Sequence, residues 1–339
     1  MHRVSILFSL VLALVITGCS SQSEEVNVYS ARQEALIKPL LDRFTEETGI
    51  NVNLITGSAD TLVERMKSEG EHSPADLLIT VDAGRLYRAH QEGQLATLDD
   101  EVLEQRVPEN LRDPQGRWFG LSVRARVVMF NPDTVDESEL STYETLADEQ
   151  WEGRICIRSA DNIYNQSLVA SLIAHDGEQA TQAWAEGLVN NMARDPVGGD
   201  RDQIKALAAG ECDLAVTNTY YLARMLQNDD DAIRAQAQAA RVFWPNQQDR
   251  GAHINISGAG LATNAPNRDH AIQLLRFLVN DESQRWYAEV NNEYPVRQDT
   301  PVSDVLASWG EFKRDPLPLV KLGELNAEAV RIMDRAGWK

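Results

Sequence analysis

The sequence predicts an α/β protein of two lobes that close on each other as a hinged clamp. The 339-residue chain is longer than one hydrophobic core usually serves. Short apolar strands alternate with amphipathic helices in two separate stretches, which is typical of sheets covered by helices. Two β-rich runs, at residues 119–131 and 251–263, are long enough to cross between lobes. Two such crossings indicate a clamp that closes a cleft around a ligand through a few backbone torsions.

The first alternating stretch contains three predicted strands, at residues 26–30, 50–57 and 75–81. Apolar and polar residues alternate in the second of them. A helix with apolar residues at helical spacing over residues 36–44 joins the first two strands, and Gly49 stands where its C-cap belongs. The strand–helix–strand–helix–strand order predicts a parallel sheet.

The second alternating stretch repeats this pattern. Strands are predicted at residues 154–159 and 212–218, helices near 166–174 and 177–192, and a further helix beginning near Thr219. Each lobe is therefore expected to be a mixed sheet covered by helices.

The crossings set the expected lobe boundaries. Residues 26–123 with 255–300 are expected to form lobe 1, and residues 124–254 with 301–339 to form lobe 2. Each lobe is thus discontinuous in sequence, because the chain passes between them more than once.

The charge balance narrows the classes of partner. The chain has 52 Asp and Glu against 32 Lys and Arg, a formal net charge of −20. Such a surface repels polyanions, so no nucleic acid is expected as a partner. It suits a cationic ligand, but net charge describes solubility better than function.

The N-terminus has the features of an export signal. A basic start at Arg3 precedes an apolar run over residues 4–16, which is too short to span a bilayer as a stable helix. The segment ending in Cys19 resembles the bacterial lipobox, in which the cysteine is lipidated. We expect a lipoprotein signal peptide at residues 1–18, a tether at residues 19–25, and a lipid-anchored protein in the periplasm or on the cell surface. The alternative is a soluble exported protein whose Cys19 is incidental.

Lipidation of Cys19 would leave two cysteines, Cys156 and Cys212, in an oxidising compartment. Each lies at the edge of a predicted strand, and neighbouring strands would suit a disulfide. Sequence cannot place their Cα atoms within bridging distance. A disulfide and two buried free thiols therefore both stay open.

Three tyrosines follow predicted strands. Tyr220 and Tyr221 come directly after one strand and open a helix, and Tyr164 stands between a strand and a helix. Ligand crevices in open α/β sheets form at the carboxyl ends of the strands. Both turns can therefore point phenols into the same crevice, although packing is the commoner role of such aromatics.

Several phenols at one cleft favour a hard, highly charged metal ion, because a phenol with a pKa near 10 needs strong help to ionise. Ferric ion provides that help. The six histidines lack the close spacing of a zinc site. The acidic run Asp229–Asp231 lacks the spacing of a calcium loop and is interpreted as a solvated loop.

Cationic side chains extend this interpretation. Arg32 and Gln33 follow the first strand at the ligand end of the sheet, and Arg124 lies in the first crossing. Arginine offers bidentate donors to a planar oxyanion. Three phenolates would neutralise Fe³⁺, and an anion held by Arg32 and Arg124 could complete its coordination. For Arg126 we favour an ordinary surface or inter-lobe salt bridge.

At these residues the sequence resembles the periplasmic ferric-ion-binding proteins of bacterial ABC transporters. The matching segments are VYSARQ (28–33), SPADLLITVD (73–82), SVRARVV (122–128), SADNIYNQSLVAS (159–171), GGDRDQIKALAAGECDLAVTNTYYLARM (198–225) and NISGAGL (255–261). The resemblance implies the type II periplasmic-binding-protein fold, and a monomer without enzymatic activity that delivers Fe³⁺ to a membrane permease and its ATPase. Carried over residue by residue, the family's iron-binding phenols fall on Tyr164, Tyr220 and Tyr221.

The sequence departs from this family in lobe 1. Gln33 and Glu34 stand where many members have His and Tyr, and Val81 stands where some have an acidic ligand. The resemblance then implies the subgroup in which carbonate, bicarbonate or a similar synergistic anion fills those sites. Glu34 as a direct ligand is the competing idea.

Two other functions are alternatives to ferric-ion binding. The nearer one keeps the clamp but binds a different small solute or an oxyanion, with the tyrosines stacking or hydrogen-bonding. The other is an exported enzyme, but the sequence contains no GxSxG elbow, HExxH pair or P-loop.

Overall fold

The computed structural model describes residues 24–339. The strands are β1 (Glu25–Ser30), β2 (Asn51–Thr56), β3 (Leu77–Val81), β4 (Phe119–Phe130), β5 (Ile155–Cys156), β6 (Leu214–Asn218), β7 (Arg241–Phe243) and β8 (Ile254–Leu261). The helices are α1 (Lys38–Thr48), α2 (Ala59–Glu69), α3 (Ala83–Gln91), α4 (Glu101–Arg106), α5 (Ile163–Asp176), α6 (Glu178–Asn190), α7 (Asp200–Ala208), α8 (Thr219–Leu226), α9 (Asp231–Gln238), α10 (Arg268–Leu278), α11 (Asp281–Val290), α12 (Asp304–Ala307), α13 (Val320–Glu324) and α14 (Asn326–Arg335). The predicted signal peptide and Cys19 lie outside the described residues.

The described strands form one continuous path in the order β2-β1-β3-β8-β4-β6-β5, with β7 also pairing with β4. In lobe 1, β2, β1 and β3 are parallel, as the alternating pattern predicts, and β8 joins them antiparallel. In lobe 2, β5 and β6 are parallel, and β6 runs antiparallel to β4. Each lobe therefore has a mixed sheet.

Strand β4 connects the two halves of the sheet. Residues 119–125 pair with β8, and residues 126–130 pair with β6. All twelve residues of β4 are buried, so the crossing runs through the interior. The second predicted crossing is shorter than expected, because β8 begins only at Ile254 and pairs with β3 and β4 alone.

Local sequence explains the early elements well. Helix α1 buries Leu40, Leu41 and Phe44 on one face, as the helical spacing predicts. Gly49 then ends the helix with a left-handed φ of +76°, a conformation that favours glycine.

A third connection between the lobes comes from α13, which packs against α3 of lobe 1 and α5 of lobe 2. Gly323 permits this approach, since a Cβ there would lie 2.3 Å from the Tyr87 side chain. Beside it, the Ser167 hydroxyl of α5 donates to the buried Asp82 carboxylate at distances of 2.8 and 2.9 Å. These contacts hold the two lobes in a defined orientation at one flank of the cleft.

Among residues 24–339, no helix combines the length and the apolar character needed to cross a membrane.

Candidate functional site

A cleft of about 560 Å³ opens between the lobes, at the carboxyl ends of β1, β3 and β6. Its lining includes the predicted metal-binding phenols and anion-binding side chains: Arg32, Gln33, Arg124, Tyr164, Tyr220 and Tyr221. Helix α7, which the sequence analysis did not predict, adds Asp200, Arg201, Asp202 and Lys205 to the wall of lobe 2.

The three phenols converge because each begins a helix at the end of a strand. Tyr220 and Tyr221 follow β6 in the first turn of α8. Tyr164 is the second residue of α5, where its backbone N–H donates to the Asn162 side chain at 3.1 Å. The hydroxyls of Tyr220 and Tyr164 are 3.5 Å apart, and the ring centroids of Tyr220 and Tyr221 are 4.2 Å apart.

A disulfide joins the strands that lead to these phenols. Cys156 ends β5 and Cys212 precedes β6, and their sulfurs are 2.05 Å apart. Each cysteine stands eight residues before its tyrosine, Tyr164 or Tyr220. The bond thus ties together the two segments whose relative position sets the distance between the phenols.

Four guanidinium groups lie over the phenol rings, with their central carbons 5.1–5.9 Å from the ring centroids. Arg124 and Arg158 lie over Tyr164, Arg224 over Tyr220 and Arg201 over Tyr221. Positive charge at this distance favours the ionised form of a phenol.

Burial works in the opposite direction. Desolvation and the neighbouring phenols raise the pKa of Tyr220 well above its usual value of 10, although Arg124 lowers it. For Tyr221, burial and the neighbouring Tyr164 raise the pKa to about 12, against the effect of Arg158. Both phenols are therefore neutral at pH 7, and a metal ion must displace their protons to bind oxygen.

Asp200 organises the wall of lobe 2. Its carboxylate accepts from Arg126 Nη1 at 2.9 Å, from Arg158 Nη1 at 2.8 Å and from the Asn218 backbone N–H at 3.2 Å. Arg126 is only 2% exposed. The interpretation of Arg126 as a surface or inter-lobe salt bridge is therefore wrong, because its partner lies in the same lobe and both are buried.

On the wall of lobe 1, Arg32 is already paired. Its Nη2 lies 3.0 Å from Oε2 of Glu293, and Nη1 lies 3.1 Å from the same oxygen. The Ser122 hydroxyl donates to this carboxylate as well. Burial opposes the ionisation of Glu293, but Arg32, Arg124 and the Ser122 hydroxyl outweigh it and hold the pKa below its ordinary value. Glu293 was not predicted from the sequence, because no local pattern distinguishes it from other acidic residues.

Arg124 lies between the two walls and is 2% exposed. Its Nη1 donates to the Ser257 hydroxyl at 3.1 Å and its Nη2 to the Ile256 carbonyl at 2.6 Å. Among the described residues, its Nε has no hydrogen-bond partner. Each terminal nitrogen makes one of the two hydrogen bonds that it can donate, and Arg124 lines the cleft, so it has donor capacity left for a group that enters.

The remaining predicted residues of lobe 1 lie where the strand ends put them. Gln33 is exposed and Val81 half-buried, and both line the cleft. Glu34 is exposed in a short 3₁₀ turn and is not among the lining residues. Within residues 24–339, no three His, Cys, Asp or Glu side chains are grouped so that they could hold a metal ion.

Comparison with known proteins places these features in a class. A family profile for bacterial extracellular solute-binding proteins matches residues 72–314. The iron uptake protein A1 of Synechocystis sp. is 51% identical over 324 residues, which cover 96% of this chain and 90% of that protein.

Two solved structures share the fold. That of Trichodesmium IdiA (FutA), in complex with iron and citrate ligands, has a TM-score of 0.90 at 50% identity and covers 93% of this chain and 100% of its own. The ferric binding protein from Campylobacter jejuni has a TM-score of 0.88 at 37% identity, with 93% and 100% covered.

The fold and the cleft define a two-lobe solute-binding protein. The chain belongs to the bacterial extracellular solute-binding protein family, whose members bind solutes outside the cytoplasm. The predicted resemblance and the predicted fold class are both confirmed.

Proposed function

We propose that this protein captures ferric iron in the cleft through the phenolates of Tyr164, Tyr220 and Tyr221, and serves as the binding component of an ABC importer. The observation that carries the proposal is the convergence of three phenols under four guanidinium groups. Phenolate oxygen is a hard donor, and three phenolates balance the charge of Fe³⁺. The names of the relatives, an iron uptake protein and a ferric binding protein, support the same ligand.

A synergistic anion, carbonate or bicarbonate, would complete the coordination from lobe 1. The unused donor of Arg124 and the exposed amide of Gln33 support this, together with the absence of phenol and imidazole from the described lining of lobe 1. Arg32 would take part only after its pairing with Glu293 changes. Iron is the cargo, so the protein holds and releases it without catalysing a reaction.

Delivery follows from the family. A solute-binding protein hands its ligand to a membrane permease driven by an ATPase, and those are the partners we propose for this chain. Lipidation at Cys19 would hold the folded part, as a monomer, near that permease at the membrane surface.

A visible spectrum tests the iron site. Fe³⁺ added as a weak chelate to iron-free protein in bicarbonate buffer should produce a phenolate-to-iron charge-transfer band. The band should be lost in a Tyr220→Phe, Tyr221→Phe double variant with an unchanged melting temperature. Tyr143→Phe is the matched control, because Tyr143 is buried outside the cleft and its loss should leave the band intact.

The rival function has its own observation in favour, the excess of Arg and Lys over Asp and Glu in the cleft lining. A small oxyanion would be its ligand. A protein that stays colourless with Fe³⁺ and bicarbonate, yet binds an oxyanion by calorimetry, would replace the iron proposal with this one.

A further inference from the structure

The carboxylate of Glu293 lies where an incoming anion would meet Arg32. Both terminal nitrogens of Arg32 point at it, with Nη1 3.1 Å from Oε2 and Nη2 3.1 Å from Oε1. The two side chains are 1% and 5% exposed. A buried, bidentate ion pair of this kind has the geometry in which arginine recognises a free carboxylate or carbonate. Glu293 therefore fills the anion-recognising fork of lobe 1.

The turn that carries Glu293 also contacts lobe 2. The carbonyl of Asn291 accepts from Arg224 Nη2 at 3.1 Å, and the side chain of Asn292 donates to Gln227 at 2.7 Å. Arg224 belongs to α8, whose first turn carries Tyr220 and Tyr221, and Gln227 follows that helix directly. Asn292 adopts a left-handed φ of +54° in this turn. The position of Glu293 is thus linked to both walls of the cleft.

From this arrangement we propose that Glu293 is an internal competitor that an external anion must displace from Arg32 before the cleft can hold iron with an anion. The inference deepens the proposed function and rests on it for the role of the anion. Displacement is required because Glu293 occupies the fork of Nη1 and Nη2, and the other edge of the guanidinium ends in an Nε that is buried away from the cleft.

Competition with Glu293 determines which anions can bind to Arg32. A tethered carboxylate is present at high effective concentration, so a weakly bound monovalent ion such as chloride cannot replace it. A planar oxyanion that makes two parallel hydrogen bonds can, especially with further donors from Arg124. The apparent affinity for the anion is then its intrinsic affinity reduced by the fraction of protein in which Arg32 is free.

Anion binding by iron-free protein tests the inference directly. Full-length protein is stripped of metal and titrated calorimetrically with sodium bicarbonate at constant pH and ionic strength. Glu293→Gln should bind bicarbonate about tenfold more tightly or better, because the competing charge is gone. Ser122→Ala keeps that charge but removes one hydroxyl donor, so it should give a smaller gain of about threefold.

Glu289→Gln is the matched control, since Glu289 is an exposed carboxylate near the end of α11 and does not line the cleft. It should leave bicarbonate affinity unchanged. Unchanged or weaker bicarbonate binding by a folded Glu293→Gln protein would overturn the inference. So would loss of the iron band in that variant at saturating bicarbonate, which would make Glu293 a ligand.

The ferric function and the role of Glu293 as a competitor can be contradicted independently of each other. Tighter bicarbonate binding by Glu293→Gln without any iron band in the parent protein would keep the competitor and remove the ferric function. A normal iron band with no change in bicarbonate affinity would do the reverse.

Discussion

The two walls of the cleft differ in the charge state that they present to a ligand. The wall of lobe 2 presents Tyr220 and Tyr221 as neutral phenols whose pKa values burial has raised. The wall of lobe 1 presents a guanidinium and a carboxylate that already neutralise each other, Arg32 and Glu293. Under the proposed function, metal selection would therefore be concentrated in lobe 2 and control over the anion in lobe 1.

This difference determines what each wall responds to. The phenols bind a metal only by releasing protons, so their affinity falls as pH falls. The Arg32–Glu293 pair opens only to another anion, so its state depends on which anions are present and how concentrated they are.

The largest expected effect is on iron affinity, and it compares one substitution on each wall of the cleft. Tyr164→Phe removes one oxygen donor with its charge and should weaken Fe³⁺ binding by about 1,000-fold, beyond the 10–100-fold typical of changes behind a metal ligand. Gln33→Ala, on the opposite wall, should weaken it by less than about tenfold. Competition with a chelator of known affinity measures both. Equal losses in the two variants would contradict the division of roles between the lobes.

A second effect concerns stability. Asp200→Asn leaves the buried Arg126 without its carboxylate partner and should lower the free energy of unfolding by about 3–5 kcal/mol. Asp202→Asn is the control, because its exposed side chain only caps the same helix, and it should cost about 1 kcal/mol. Urea unfolding of iron-free protein measures both. Similar small losses would show that Asp200 does not organise this wall.

The sequence was sufficient for features that depend on local pattern. Sequence pattern located β1, β5 and β6, and the segments that follow those strands place Arg32, Gln33 and the tyrosines in one cleft. Even the lobe-crossing β4 was visible as one long β-rich run. Local chemistry dictates such features, since each depends on residues within about ten positions.

Pairings between distant residues were not predictable. Arg126 meets Asp200 across 74 positions, and Arg32 meets Glu293 across 261. The sequence suggested Arg32 as a free anion donor, and only the fold shows its fork occupied. In a chain with 52 acidic residues, the partner of a buried arginine depends on tertiary packing rather than on spacing.

The smallest expected effect concerns His253, which lies beside Arg124 and Arg126. Burial, followed by Arg126, Arg250 and Arg124, lowers the pKa of His253 to about 3. In the unfolded chain the imidazole titrates near 6.5. Between pH 6.5 and pH 3 the unfolded state therefore binds a proton that the native state does not, and stability falls as the solution is acidified.

This proton should cost the native protein about 2 kcal/mol at pH 5, at about 1.4 kcal/mol per pH unit below 6.5. His253→Gln removes the titration, so the variant should lose about 2 kcal/mol less than the parent between pH 8 and pH 5. Comparing each protein with itself at pH 8 cancels any packing defect that the substitution causes. Urea unfolding at the two pH values gives the difference. Equal losses of unfolding free energy in both proteins would mean that His253 takes up its proton in the native state, and that water reaches its imidazole there.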